Sequence, residues 1–214
     1  MIKPLFSLYQ KASKWDRLYI YLRLKFFSDY FKKIDELLPN VGRLVDLGSG
    51  YGLLANLLSL NSERRSVIGI DGDGKRIGIA EGTIGSRRNI NFMAEKVSSI
   101  VFKDSEYDGL VMTDFLHHLP YQEQEKIMKK ISQSIKLGGI LVIGDVKETP
   151  RWKYYISYLA DLVLYLGKPK CFYRTSEEMK KFIEKYGFSV RTIPADQKNI
   201  FSMVIYAARK EGGL

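Results

Sequence analysis

The chain has 214 residues, of which 45% are hydrophobic and 27% are charged, and it carries a formal net charge of +10. This length and composition are typical of one globular domain, or of one domain with an appended segment, and they exclude collagen-like, disordered and disulfide-scaffold proteins. The single cysteine, Cys171, cannot form an intramolecular disulfide, which favours a reducing compartment. The N-terminal stretch lacks the apolar core of a signal peptide, and the longest apolar stretch, 156–166, is shorter than the roughly 20 residues of a transmembrane helix. We therefore expect a cytoplasmic protein without a membrane span.

The positive charge lies at the two ends of the chain. Residues 1–43 contain nine basic and four acidic residues, residues 147–214 contain 13 and 7, and the middle, 44–146, contains 12 and 13. Basic flanks around a neutral middle predict surfaces that face an anionic partner, such as a membrane, a nucleic acid or an acidic substrate. The alternative is that these residues lie on solvated helix faces without a partner.

Apolar residues at helical spacing predict a helical N-terminal cap over 5–38, which ends at Pro39-Asn40. From Arg43 onward, short apolar runs alternate with helical stretches. This alternation predicts an α/β fold with a parallel sheet and right-handed crossovers. The runs are, in order, LVDLG, LLANLLSL, SVIGID, GKRIGIAEG, NINFMA, YDGLVMTDF, a helix near 121–136 and GGILVIGDV.

The C-terminal part departs from this alternation. Residues 151–174 are rich in Tyr and Leu and predict an inserted amphipathic helix followed by a loop. Ser176 predicts the N-cap of another helix, which ends near Gly187. The segments FSVRTIP and FSMVIYAARK predict two closing strands that pair antiparallel around a turn at Asp196–Asn199.

A glycine-rich turn stands where the first predicted strand gives way to the first helix of the sheet region, in the segment Val45-Asp46-Leu47-Gly48-Ser49-Gly50-Tyr51-Gly52. Glycines there allow a tight turn and a close approach of a ligand to the backbone, and the helix N-terminus favours negative charge. A dinucleotide fingerprint, G-x-G-x-x-G, requires glycine at position 53, which is leucine here. The observed form, D-x-G-x-G-x-G, resembles motif I of the class I S-adenosylmethionine (SAM)-dependent methyltransferases.

Later segments resemble the same family in the expected order. Asp71 ends the second predicted strand, where an acid can accept hydrogen bonds from both hydroxyls of a ribose, and Glu95 stands at the end of the third. YDGLVMTDFLHHLP is similar to the segment around strand four of the family, and KLGGILVIGDV to its turn into strand five. The matches cover about 41–146, with departures at Gly72, where an apolar residue is frequent, and at Leu137, where proline is usual.

The resemblance implies a fold, a cofactor and a set of binding residues. The fold is a Rossmann-like class I methyltransferase fold: a seven-stranded, mostly parallel sheet with an antiparallel C-terminal strand. The resemblance does not extend to 1–38 or 150–175 in detail; from the residue pattern, we predict a helical cap over 1–40 and a methyltransferase domain over 41–214, with a helix or lid inserted after strand five at about 150–175. The cofactor is SAM, which leaves as S-adenosylhomocysteine (SAH). Asp71 would hold the ribose and Glu95 the adenine, and the whole implied set is Asp46, Gly48, Ser49, Gly50, Gly52, Asp71, Gly72, Glu95, Lys96, Thr113 and Asp114.

Candidate catalytic residues follow the fourth predicted strand. His117 and His118 are the only histidines of the chain, and imidazole titrates near neutrality, as a general base requires. Asp114 is a third candidate and Asp145, at the end of strand five, a fourth; the alternative is that the histidines only pack or cap. The segment lacks N-P-P-Y or D-P-P-Y, which argues against methylation of adenine N6, cytosine N4 or glutamine. No His and Cys residues have zinc-site spacing, so no metal site is predicted.

Acceptor specificity in this family usually comes from segments outside the core, here 1–38 and 150–175, and both interleave aromatic with basic residues. One interpretation is a surface that lies on anionic lipid and takes an amphiphilic acceptor such as a lipid, a quinone precursor or a polyene. A second is a nucleic-acid surface, with cations on phosphates and rings on bases. A third is a cap that packs its aromatic residues on the sheet. Lipid is favoured over RNA because residues 155–166 are strongly apolar.

We therefore predict a methyltransferase of small apolar or amphiphilic acceptors in the cytoplasm, with peripheral association at the inner face of an anionic membrane as a further expectation. The alternatives are an RNA methyltransferase, a nicotinamide-dependent oxidoreductase on a similar sheet, and a non-catalytic SAM-binding subunit. The oligomeric state is left open.

Overall fold

The structure is a computed structural model and describes residues 2–147, 152, 155–156, 171–195 and 201–212. A 3-10 turn over Leu116–His118 follows the fourth strand. The helices and strands are, in chain order, α1 (Ile2–Ser7), α2 (Lys14–Leu37), β1 (Gly42–Leu47), α3 (Leu53–Asn61), β2 (Arg65–Asp71), α4 (Gly74–Glu81), β3 (Ile90–Ala94), β4 (Tyr107–Thr113), α5 (Tyr121–Ser134), β5 (Ile135–Val146), α6 (Ser176–Glu184), β6 (Phe188–Pro194) and β7 (Met203–Lys210).

The seven strands form one sheet in the order β3-β2-β1-β4-β5-β7-β6. β1 pairs in parallel with β2 and with β4, whereas β7 is antiparallel to both β5 and β6. This confirms the predicted fold, including the antiparallel pair of closing strands. The strand order reverses between β1 and β4, and open α/β sheets bind their ligands beside such a reversal, outside the carboxyl ends of the strands.

Helices cover both faces of the sheet. α1 to α4 contribute to one apolar cluster, and α5 and α6 contribute to the other. α2 lies against the sheet through Ile20, Leu24, Phe27, Tyr30, Phe31 and Ile34, all of which are buried. A Cβ atom at Gly144 of β5 would overlap the Tyr30 hydroxyl, so the absence of a side chain at 144 lets α2 approach. Among the residues that the structure describes, none of the helices has both the length and the apolarity of a membrane span.

The N-terminal segment predicted as helical over 5–38 forms two helices in the structure, with a break between Ser7 and Lys14 that was not predicted. Ser13 caps α2: its hydroxyl accepts a hydrogen bond from the Asp16 backbone N–H at 3.1 Å. Apolar spacing continues through the break, so periodicity alone does not reveal it. The local signal is the pair of Ser13 and Asp16 three residues later, the spacing of a capping motif.

Thr175, and not Ser176, is the N-cap of α6. The Thr175 hydroxyl accepts from the Glu178 N–H, and the Glu178 carboxylate accepts from the Thr175 N–H at 2.8 Å. Only Thr175 has a glutamate three residues later, and this capping box decides between the two candidates. The helix predicted near 121–136 ends at Ser134, since Ile135 already pairs with Tyr107 in the sheet.

Two further predictions lie mostly or wholly outside the described residues. The turn at 196–199 falls in the gap between β6 and β7. Of the inserted helix over 151–174, the structure describes Trp152, Tyr155 and Ile156 as helical and 171–174 as an irregular segment.

Candidate functional site

A cavity lies at the carboxyl ends of β1, β2 and β4, beside the reversal of strand order. Predicted residues that line it are Asp46, Gly48, Ser49, Gly50, Asp71, Thr113, Asp114 and His118. The predicted residues Gly52, Gly72, Glu95, Lys96 and His117 do not line it. The cavity is also lined by Tyr19, Arg23 and Phe31 of α2, and by Tyr51, Leu53, Leu54, Arg76 and Phe115.

The three glycines of the turn between β1 and α3 have different roles. All three have positive φ angles: 81° at Gly48, 52° at Gly50 and 72° at Gly52. A Cβ at Gly48 would lie 2.5 Å from the Phe115 ring, and one at Gly52 would lie 2.5 Å from the Phe92 ring. A Cβ at Gly50 would meet nothing closer than 4.0 Å. Gly48 and Gly52 are therefore needed for packing, whereas Gly50 leaves open space on the cavity side.

Two buried polar atoms beside this turn have no hydrogen-bond partner among the described residues: Asp46 Oδ1 and Ser49 Oγ. The other oxygen of Asp46 accepts from the Ala55 N–H at 3.0 Å, at the start of α3. Buried polar atoms are nearly always paired, so unpaired ones in a cavity wall indicate where a ligand binds. Desolvation by burial raises the pKa of Asp46 to about 7, so its carboxyl exchanges a proton near neutrality.

The raised pKa of Asp46 predicts how stability depends on pH. Its folded pKa lies above its unfolded value of about 3.9, so its contribution is full below pH 4 and is lost as the pH rises toward 7. By pH 8 the loss amounts to as much as about 4 kcal/mol. Asp46→Asn should lack this pH dependence, which urea unfolding of both proteins at pH 4 and pH 8 will measure. Equal pH dependence in the two proteins would show that Asp46 titrates normally.

Asp71 holds the end of β2 to the glycine turn. Its Oδ2 accepts from the Gly50 N–H at 2.8 Å and its Oδ1 from the Asp73 N–H at 2.8 Å. A carboxylate oxygen can accept two hydrogen bonds, so each oxygen still has room for one ligand hydroxyl. The Glu95 N–H donates to the Asp71 backbone carbonyl at 2.9 Å, which places the end of β3 beside the end of β2.

The residues predicted at the end of β3 lie at the outer edge of this site. Glu95 is half-buried and Lys96 is exposed. A Cβ at Gly72 would lie 3.8 Å from the Lys96 side chain, so Gly72 leaves room beside it. A ligand that extends from the cavity past Asp71 would reach this edge.

Asp114 forms the opposite end of the cavity, directly after β4. Its φ is +49°, in the left-handed region that aspartate tolerates better than most residues, and its N–H donates to the Gly144 carbonyl at 3.0 Å. Asp114 Oδ2 accepts from the Arg23 guanidinium of α2 at 2.8 Å. Asp114 Oδ1 is buried and has no hydrogen-bond partner among the described residues. Arg23 itself stacks on the Phe27 ring, with 4.0 Å between its guanidinium carbon and the ring centroid.

Arg23 is a site residue that was not predicted from the sequence. Helical spacing does not distinguish it from the other basic residues of the N-terminal segment. Its replacement by methionine keeps an apolar stem but leaves the Asp114 carboxylate without its charged partner. We expect Arg23→Met to lower the free energy of unfolding by about 1–3 kcal/mol. Lys25→Met, on the exposed side of the same helix, should change it by less than about 0.5 kcal/mol. Urea unfolding measures both, and equal losses would contradict the role of the Arg23–Asp114 pair.

The two adjacent histidines occupy different environments. His117 is buried, and its Nδ1 lies 2.5 Å from Asp145 Oδ1, to which a protonated Nδ1 donates. His118 lines the cavity. Desolvation, with repulsion from His117 as the next cause, lowers the pKa of His118 to about 4, so its imidazole is neutral at physiological pH. The sequence predicted both as candidate bases, but only His118 faces the cavity.

The N-terminal segment covers the glycine turn. The Tyr51 hydroxyl donates to Asp16 Oδ1 at 2.7 Å, and the Tyr51 carbonyl accepts from the Tyr9 hydroxyl at 2.8 Å. The rings of Tyr19 and Tyr51 lie 5.3 Å apart, and the Arg76 guanidinium lies 5.5 Å from the Tyr51 ring. The predicted cap is therefore built into the wall of the cavity.

Comparison with known proteins agrees with this architecture. The model of a methyltransferase domain family matches residues 21–193. A demethylmenaquinone methyltransferase of Thermotoga maritima is 24% identical over 162 residues, which are 73% of this chain and 69% of that protein.

Solved structures share the fold. A SAM-dependent methyltransferase of Methanosarcina mazei has a TM-score of 0.66 and 22% identity, with 85% of this chain and 98% of that chain covered. The magnesium protoporphyrin IX methyltransferase of Synechocystis, with bound SAH, has a TM-score of 0.65 and 17% identity, with 89% and 87% covered. The match to the family decides between the methyltransferase prediction and the nicotinamide-dependent alternative. The chain belongs to the methyltransferase domain family, and it is a SAM-dependent methyltransferase of class I.

Proposed function

We propose that the protein transfers the methyl group of SAM to a small apolar or amphiphilic acceptor, for which a quinone-type ring is the best candidate. The observation that carries this proposal is the set of residues at the end of the cavity near Asp114, where the acceptor would bind. Aromatic rings of Phe31 and Phe115 stand there with the Arg23 guanidinium and the neutral imidazole of His118. Rings and a few polar groups suit a flat apolar molecule with oxygen substituents. The similarity to a demethylmenaquinone methyltransferase supports the same acceptor class.

The residues of the cavity fit SAM, which supplies a methyl group already activated on a sulfonium sulfur. The remaining acceptor capacity of Asp71 suits the two ribose hydroxyls, and Glu95, at the adjacent end of β3, would accept a hydrogen bond from the adenine amino group. The unpaired Asp46 Oδ1 and Ser49 Oγ would take polar groups of the methionine part, over the open space at Gly50. Thr113, at the carboxyl end of β4, also lines the cavity.

Of the four side chains predicted as candidate bases, Asp114 is the one to which we assign proton removal from the acceptor. It lines the cavity, and its Oδ1 is available while Oδ2 is held by Arg23. Because Arg23 holds the Asp114 carboxylate in one orientation, the acceptor would contact that carboxylate in a single geometry. His118 binds the acceptor from the other side, and His117 positions His118 through their ring contact, with centroids 4.1 Å apart.

This function is tested with SAM and a reduced, demethylated naphthoquinone that carries a short isoprenoid tail. We expect mass spectrometry to show an acceptor that has gained one methyl group and an equal amount of SAH. Transfer to RNA fragments in the same mixture, with none to the quinol, would refute the proposed acceptor class.

We also propose that an anionic membrane binds the exposed side of α2, where the acceptor would be found. Trp15, Leu18, Leu22 and Phe26 follow each other at helical spacing, and each is exposed, Trp15 to 82%. The exposed residues Lys14 and Lys25 lie beside this apolar stripe. Apolar and basic residues on one helix face are typical of helices that lie in a membrane interface.

Vesicles that contain anionic phospholipid test this surface by co-sedimentation. The protein should bind them, and binding should fall steeply with salt, because surface charges are screened. The double variant Trp15→Ser and Leu22→Ser should lose most of the binding, whereas Leu60→Ser, at an exposed apolar position of α3, should not. Binding that is absent, or that both variants retain, would contradict the proposal.

A further inference from the structure

Both histidines and the only cysteine of the chain come together in one place. His117 and His118 lie on the turn after β4, and Cys171 follows 53 residues after His118. The Phe172 N–H donates to the His117 carbonyl at 2.7 Å and brings the segment of Cys171 to this turn. One nitrogen of each histidine and the Cys171 sulfur all lie within 4.8 Å of one another, and His118 Nδ1 is 3.9 Å from Cys171 Sγ.

Histidine nitrogen and cysteine sulfur are ligand types that zinc prefers. The distances between these atoms are close to the distances between the ligand atoms of a bound zinc ion. With Zn–N bonds of about 2.0–2.1 Å and Zn–S bonds of about 2.3 Å, neighbouring ligand atoms of a tetrahedral site are roughly 3.5 Å apart. Because the ligand atoms now lie within 4.8 Å of one another, the three side chains would need to approach one another by at most about 1.3 Å.

Asp145 adds an independent observation. Histidines that bind a metal through one nitrogen nearly always donate the N–H of the other to a carboxylate or a carbonyl, which fixes the tautomer. His117 Nδ1 stands 2.5 Å from Asp145 Oδ1, and that oxygen also accepts from the Val146 N–H at 2.7 Å. With Nδ1 held in this way, Nε2 is the metal-binding atom of His117.

We propose that His117, His118 and Cys171 bind a divalent transition-metal ion, with Zn²⁺ as the best fit, and that Asp145 orients His117 for this purpose. Three protein ligands leave a fourth position open. Because His118 also lines the cavity, that position would bind an oxygen or sulfur atom of the acceptor and hold it near the methyl group. This last role rests on the proposed function, whereas the metal site itself does not.

Titration of the purified protein with Co²⁺ tests the site directly, because Co²⁺ replaces Zn²⁺ and a cobalt–thiolate bond absorbs in the near ultraviolet. Cys171 is the only cysteine, so such absorption can come from no other residue. We expect one equivalent of Co²⁺ to bind with this absorption, and Zn²⁺ to displace it and to slow alkylation of Cys171. Cys171→Ser should abolish the absorption. Asp145→Asn should weaken metal binding about 10- to 100-fold, and Asp104→Asn, at an exposed site, should not change it.

The proposal is overturned if saturating Co²⁺ gives no thiolate absorption and Zn²⁺ leaves the alkylation rate unchanged. It is also overturned if Cys171→Ser binds Zn²⁺ as tightly as the unmodified chain. SAH binding, measured calorimetrically on the same samples, should be the same in Cys171→Ser, which shows that this variant is folded. Metal binding without methyl transfer to any acceptor would refute the proposed function and leave the metal site standing.

Discussion

Gly52→Ala is expected to lower the free energy of unfolding by about 3 kcal/mol, whereas Gly50→Ala, two residues away, lowers it by only about 1 kcal/mol. Both residues have positive φ angles, which cost an alanine about 1–2 kcal/mol. Only at Gly52 does the added Cβ also collide with a ring, that of Phe92. At Gly50 the methyl group enters open space where the cofactor would approach, so SAH affinity should fall at least tenfold there.

Urea unfolding and calorimetric titration with SAH, applied to both variants, separate the two effects. Gly50→Ala should remain folded and bind SAH poorly. Gly52→Ala should be unstable, and the fraction that remains folded should bind SAH more tightly than Gly50→Ala does. If Gly50→Ala bound SAH normally, the open space at residue 50 would not belong to the cofactor site.

Asp71→Ala is expected to weaken SAH binding by roughly 1–3 kcal/mol, about 5- to 150-fold, because hydrogen bonds to a charged carboxylate are lost. The variant also releases the Gly50 N–H, which the carboxylate holds at 2.8 Å, so the turn loses part of its order. Isothermal titration calorimetry with SAH measures the change in dissociation constant.

Asp73→Asn is the matched control, because Asp73 lies in the same loop but caps α4. Its Oδ1 accepts from the N–H groups of Lys75 and Arg76, and asparagine is an equally good N-cap. We expect this variant to bind SAH normally. An unchanged dissociation constant in Asp71→Ala would show that Asp71 does not hold the ribose.

The fold and the cofactor were predictable because their signals are local in sequence. The turn from Gly48 to Gly52 joins one strand to one helix, and Asp71 ends the next strand, so their place at the sheet edge follows from the α/β alternation. The family match and the observed strand order confirm the fold, the enzyme class and SAM as cofactor. The roles of individual site residues stay predictions, to be tested by the variants above.

The contacts made by the N-terminal helices were not predictable. Arg23 pairs with Asp114 across 91 residues of sequence, and Tyr51 with Asp16 across 35. Helical spacing shows which residues of α2 face inward, but not which strand end they meet. The break before Ser13 could not be recognised from the same spacing, because a short helix followed by a long one can keep one apolar period.

The cluster of His117, His118 and Cys171 could not be predicted from the sequence for a different reason. Zinc sites are recognised in sequence by ligands a few residues apart, and Cys171 lies 53 residues from its nearest partner. Asp145, on β5, reaches His117 only because β4 and β5 are neighbours in the sheet. The absence of a zinc pattern therefore supported a prediction of no metal, which the proximity of these side chains now calls into question.

Label transfer from methyl-tritiated SAM tests the central claim most directly. The purified protein is incubated with SAM and a whole-cell extract, and the products are divided into an organic phase, aqueous small molecules and RNA. We expect the label in the organic phase, on a quinone-type or other amphiphilic molecule. Label in RNA would contradict this account and would make the basic, aromatic N-terminal helix a nucleic-acid surface; no transfer, from a protein that binds SAH, would make the chain a SAM-binding subunit without its own activity.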